Sequence, residues 1–383
     1  MSQRITRRKA ASMLAAAPAL YSARARAADP SVYRIGALLG LTDKANWNAT
    51  VMQRGIMMAV DEINAKGGID GIKVEAAIED HQGVPRVGVD ALQRLRARYD
   101  IQAVLLSYST VALASAPICE ENKIFMMDGG SVSEALVGKF SYLFHNRAVS
   151  TVLTRAALSI PKQQNMKKMA VMAASTDEGQ SLLRLSQADW KAYGGEIVEV
   201  EQALATASNI DTQIAKLRTS NPDFLAIWEF SPGPGLVLKR AREFGMKQPI
   251  IGVEFTAEIA KVAGANAEGF QFASDYFNPN VDDAWPKQFA ASYRAKYGAD
   301  PEVYAANYYE GIYVVAELIR RSRAAGKTYT GENLKAALLA DPKVPSVYGG
   351  NLVFKPDGSC LKRVGIFTVK DGKAGFQHFA ELT

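Results

Sequence analysis

Two stretches of this chain end in small, hydroxyl-bearing residues. VLLSYST closes on Ser107, Tyr108, Ser109 and Thr110, and FMMDGGSVS closes on Gly129, Gly130, Ser131, Val132 and Ser133. Each follows an apolar run of strand type, so the hydroxyls and backbone N–H groups fall where a strand gives way to the next element. In an open α/β sheet that is the edge at which ligands bind. Donors gathered there, beside a helix N-terminus with its partial positive charge, suit a carboxylate. The alternative is that these serines only cap the helices behind them. Other groups offer less. His81, His145 and His378 are scattered, and Cys119 and Cys360 lie far apart, so metal-ligand spacing is missing and the two thiols are expected to stay unpaired. His81, in IEDHQG at a strand end, is expected to satisfy its neighbours rather than to react. The chain contains no G-x-x-x-x-G-K-[ST], G-x-G-x-x-G, H-E-x-x-H or G-x-S-x-G motif. Nucleotide chemistry, zinc hydrolysis and serine-type acyl transfer lack their usual parts, and no cofactor, no metal and no catalytic residue is expected.

Such loops need rigid elements behind them. YRIGALLGL reads as a strand over 33–39. In the segment that follows, Met52, Gly55, Ile56, Ala59, Val60 and Ile63 keep the three-and-four spacing of one buried helix face. AVDEINAKGGIDG then stops that helix at Gly67 or Gly68, either of which takes the left-handed conformation without a Cβ clash. Ile72, Val74, Ala76 and Ile78 alternate as a strand does. Strand, helix, strand opens a parallel sheet. The rhythm continues through a helix with Val87, Ala91, Leu92 and Leu95, then restarts after Thr151 with a second βα series. Two series predict an α/β protein with two doubly wound lobes. Beyond Asn278 two helices and a hairpin-like end over 353–373 are expected.

GALLGL followed by GIMMAVDEINAKGGIDGIKVEAAIED resembles the opening of the type I periplasmic solute-binding proteins, in the group that binds leucine, isoleucine and valine or related amides and aromatic acids for ABC importers. STDEGQS, AEGFQFASDYFNP, NYYEGIYVVAELIRRS and VFKPDGSC extend the likeness over nearly the whole mature chain. The resemblance implies lobe one at 32–148 plus 280–361, lobe two at 149–279 plus 362–383, three chain crossings between them and a ligand cleft. It places Ser109, with Tyr108 before it, where a first-lobe serine receives the ligand carboxylate, and Ser131, Val132 and Ser133 on the loop that shares the task. Trp47 falls on the first loop, Thr176 and Phe230 on the second lobe's lining, and Glu254 where amino-acid binders meet the α-ammonium. Thr176, Asp128 and the pair Trp228-Glu229 depart from a leucine binder's pattern. Expected partners are a small-molecule solute and, as the membrane's only point of contact, the permease and ATPase subunits of an importer. The protein itself is expected to be a monomer. A sensory role remains the alternative, with a cleft enzyme behind it.

The formal charge of +6 comes from one end. Of the 45 Lys and Arg, six lie in residues 1–27, which hold no Asp or Glu; the other 39 equal the 39 acidic residues. A near-neutral remainder removes the electrostatic case for nucleic acid. MSQRITRRK, an apolar run of about 14 residues and ARA before ADP read as a cleaved export signal, too short to span a bilayer. The paired arginines of TRRKAASML resemble a twin-arginine signal, although the usual bulky apolar residue does not follow.

Overall fold

The apolar face expected around Met52 to Ile63 is buried on α1 (Asn46–Ala65) in the computed structural model, which describes residues 31–43, 46–204 and 206–381. The export segment lies outside the described residues. Gly55 on that face has a packing reason. A Cβ there would stand 2.2 Å from the carbonyl oxygen of Ala305, so only glycine lets the two helix backbones approach. The helix stops as the glycines demand: Gly67 and Gly68 have φ of 94° and 78°.

The first half builds one sheet. β1 (Val32–Leu39), α1, β2 (Lys73–Asp80), α2 (Pro85–Tyr99), β3 (Ala103–Leu106), α3 (Ser109–Glu121), β4 (Phe125–Asp128) and β5 (Leu143–His145) give a five-stranded sheet in the order β2-β1-β3-β4-β5, parallel throughout. The chain then passes to a second sheet through α4 (Ser150–Gln163), β6 (Lys168–Ala174), α5 (Asp177–Ala192), β7 (Glu196–Ala203), α6 (Asp211–Thr219), β8 (Phe224–Trp228), α7 (Gly233–Glu243), β9 (Ile250–Gly252), α8 (Ala257–Ala263) and β10 (Gln271–Asp275). It returns with α9 (Ala284–Tyr297), α10 (Val303–Ala324) and α11 (Gly331–Ala340), which cover the first sheet. The hairpin-like end holds two antiparallel pairs that belong to different sheets. β11 (Lys343–Pro345), β12 (Asn351–Phe354) and β13 (Cys360–Leu361) form a small antiparallel sheet of their own. β14 (Val364–Lys370) and β15 (Lys373–Phe379) instead join the second sheet, in the order β15-β14-β10-β9-β8-β6-β7. Each large sheet is packed on both faces, which is why its central strands are almost continuously apolar.

The chain therefore passes between the sheets three times, after β5, after β10 and after β13. These passages share one buried polar core. Lys362 Nζ donates to the carbonyl of Asn146 at 2.6 Å and to Asn307 Oδ1 at 2.9 Å, and stands 3.2 Å from Glu310 Oε2. Arg147 faces Asp275 at 3.7 Å, and Asp275 also accepts the N–H of Ala148 at 3.0 Å. Asn307 and Glu310 both come from α10.

Candidate functional site

The carboxyl ends of the parallel strands in both sheets open onto a common cavity of about 170 Å³. Loops of the first sheet contribute Asp43, Gly83, Tyr108, Ser109, Gly130 and Val132. Loops of the second contribute Thr176, Glu178, Thr206, Phe230 and Ser231. Asn48 and Met52 on α1 and Tyr304 on α10 complete much of the wall. Tyr108, Ser109, Val132, Thr176 and Phe230 thus stand together on it. Trp47, Ser131, Ser133 and Glu254 lie outside the lining.

Ser109 opens α3 but does not cap it. Its Oγ accepts the backbone N–H groups of Val132 at 3.2 Å and Ser133 at 3.3 Å, tying the loop after β3 to the loop after β4. Both contacts are accepted, so neither uses the hydroxyl's own hydrogen. Ser133 is a cap: its Oγ accepts the N–H of Ala135 at 3.3 Å and starts a short 3-10 turn over Glu134–Leu136. Ser131 Oγ is buried without a partner, while the N–H of Ser131 is held by Asp128 Oδ1 at 2.8 Å. Thr176 caps α5, accepting the N–H of Gly179 at 3.4 Å, and presents its remaining surface to the cavity.

His81 sits behind this wall as a satisfied core histidine. Its Nδ1 accepts the N–H of Gly83 at 2.9 Å, so Nε2 carries the hydrogen and donates to Ser107 Oγ at 2.9 Å. Ser107 passes its own hydrogen to the carbonyl of Leu38 at 2.7 Å. Burial drives the imidazole down to about 4, which keeps it neutral. The ring packs edge-on against Tyr108, whose backbone holds φ at 58° and whose hydroxyl donates to Asp43 Oδ1 at 3.5 Å.

Glu254 is buried and occupied on both oxygens. Tyr304 donates to Oε1 and the N–H of Ser231 donates to Oε2, each at 2.6 Å, and burial raises the carboxyl above its ordinary range. Trp47 donates its indole N–H to Glu302 Oε2 at 3.1 Å, and the other oxygen of Glu302 accepts the N–H of Ala257. Arg147 lies directly behind the cavity, donating to the carbonyl of Gly130 at 2.8 Å beneath the rings of Phe230 and Tyr304. Beside Phe230, Glu229 is buried with Oε1 unpartnered, and burial alone pushes its carboxyl up to about 8. Asp43, Glu178, Tyr304 and Arg147 escaped the sequence reading. Glu178 looked like an ordinary first-turn acid, and Arg147 sits in a connecting segment without periodicity. Both cysteines are free and buried, their thiols pushed up to about 12 by desolvation. Among the described residues no His, Cys, Asp and Glu cluster could hold a metal, and no helix is long and apolar enough to cross a membrane.

A cavity between two sheets, walled by strand ends and crossed three times by the chain, is the arrangement of a type I periplasmic binding protein. The periplasmic binding protein family model matches residues 32–374, and the chain belongs to that family. It is 29% identical over 270 residues to the leucine-specific-binding protein of Salmonella typhimurium, covering 69% of this chain and 72% of that one. A leucine binding protein from Thermotoga maritima superposes with a TM-score of 0.82 at 22% identity, covering 91% of this chain and 99% of its own. An R. palustris ABC-transporter solute-binding protein in complex with benzoate also scores 0.82, at 17% identity, over 91% and 96%. The two structures share this fold.

Proposed function

We propose that this chain is the extracytoplasmic solute-binding component of an ABC importer, capturing a small carboxylate-bearing solute, an amino acid by preference, between lobes at 32–148 plus 280–361 and 149–279 plus 362–383. The observation that carries the reading is Ser109. Its hydroxyl lies on the cavity wall at the start of a 13-residue helix, fixed by two accepted N–H groups, with its hydrogen free for a carboxylate oxygen. Tyr108, Val132, Thr176 and Phe230 would contact the solute beside it. Closure by hinge motion would present the loaded form to a permease and its ATPase, and no bond would be made or broken. An aromatic acid is the second reading, favoured by the likeness to the benzoate complex and by Phe230 in the wall. The basic, apolar residues 1–27 support export with a mature form that begins near Ala28, and the mature protein would act as a monomer.

The test is a thermal-shift screen of purified mature protein against amino acids, amides and aromatic acids. A solute that binds only the folded state adds about 2.7 kcal/mol at 100 times its Kd. Absence of a shift with every class would remove the solute-binding reading.

A further inference from the structure

A second cavity, of about 370 Å³, lies along the second and third passages between the sheets and shares no described lining residue with the cleft. Its body is aromatic. Tyr276, just after β10, stacks on Phe376 of β15 with ring centroids 4.2 Å apart and planes at 7°, and Phe379 and Tyr348 extend the lining. The wall is fixed from behind. The Tyr348 hydroxyl donates to Asn307 Oδ1 at 2.6 Å, and the Lys362 ammonium stands 3.5 Å from the centre of the Tyr348 ring while it serves Asn146, Asn307 and Glu310. Leu361 and Phe376, at 58% and 36% exposure, are two of the six large apolar side chains exposed among the described residues, and both line this cavity. Apolar surface gathered in a concave place, rather than scattered singly, marks a binding site. The described lining holds no Asp or Glu and two basic residues, Lys362 and Arg363. The Lys362 ammonium is spent on the crossing core. The Arg363 guanidinium is not: its central carbon lies 3.4 Å from the centre of the Phe379 ring, and no group among the described residues accepts from its N–H groups. A guanidinium stacked by its face keeps those donors in its plane, at the edge, where a planar anion can meet them.

We propose that this cavity is a second binding site, for a small organic anion with a flat apolar body: the body lies among Tyr276, Phe376 and Phe379, and the carboxylate or sulfonate meets the edge of Arg363. The two basic side chains disfavour a cation there, and a wholly apolar molecule leaves the guanidinium edge without a partner. The site belongs to the chain passages and not to the strand ends, so it stands whether or not the cleft takes a solute.

The experiment is calorimetric titration of the mature protein with naphthalene-2-carboxylate and with naphthalene-2-carboxamide, which keeps the flat body and lacks the charge. Any component of binding that Ser109→Ala weakens belongs to the cleft; the site is the component that this variant leaves unchanged. In that component the carboxylate should bind about threefold more tightly than the amide. Arg363→Gln should remove the difference by weakening the carboxylate alone, with the melting temperature of the empty protein little changed. Phe376→Ser should weaken both probes by at least about threefold, and it decides the matter if the first variant does not fold. Absence of any component that survives Ser109→Ala overturns the proposal, and so does a component that neither Arg363→Gln nor Phe376→Ser weakens. Binding that appears only once residues 382–383 are removed would make the chain's own end the occupant and overturn it as well.

Discussion

Replacing Glu229 by glutamine keeps the shape of a buried side chain and removes its ability to ionise. The carboxyl is 2% exposed, and burial is the only influence on its titration, moving it from an ordinary 4.5 to about 8. The folded state therefore holds a proton that the unfolded chain releases over this interval. Stability is undiminished below 4.5 and falls as pH rises through 8. Taking those two values, the native fold gives up about 2 kcal/mol at pH 6 and about 5 kcal/mol at pH 9 through this one residue. Glutamine gives up neither, so the stability difference between Glu229→Gln and the native protein should widen by about 3 kcal/mol from pH 6 to pH 9. Urea unfolding of both proteins at the two pH values measures it directly. Parallel pH profiles would show that a cation or water already compensates the carboxylate, and the reasoning from an unpartnered group would fail. Solute affinity should stay the same, because Glu229 does not line the cavity.

Ser109→Ala should weaken solute binding by roughly 1.5–3 kcal/mol, the loss of a charge-assisted hydrogen bond. It should also lower the melting temperature, because the N–H groups of Val132 and Ser133 lose their acceptor. Unchanged affinity with a lower melting temperature would make the serine a strut between two loops and nothing more. Protein recovered from the native periplasm should begin near Ala28 by intact mass; full-length protein retained in the cytoplasm as the dominant form would remove the importer reading.

The fold was legible because its signals are local and repeated. The helix face around Met52, the glycine stop and the alternating strands each obey a period, and the restart after Thr151 marks the second sheet. The small sheet β11–β13 was not legible, since strands of two to four residues carry no period. The site divides for a different reason. The loop buries Ser131, turns Val132 to the cavity and uses Ser133 as a cap, a choice made by tertiary contacts rather than by residue type. Glu254 shows the same limit. Its sequence position says carboxylate near the cleft, but only the structure shows Tyr304 and Ser231 already holding it. Glu178 and Thr176 share one first turn, where an acid and a threonine are ordinary helix starters, so nothing in their types separates a cap from a wall.

The polar core where the three crossings meet has a consequence for motion. Three chain passages that all hydrogen-bond Asn307 of α10 cannot slide past one another independently. The freedom left to them is rotation about a line through that core. Displacement in such a lever grows with distance from its pivot. Phe230 and Tyr304 rest on Arg147 beside that core, so in the proposed closure they would form a floor set before a solute arrives, and the outer walls would travel to meet it. On that reading the core's own contacts would persist through closure, and the balance between open and closed would rest with the groups that face the solute.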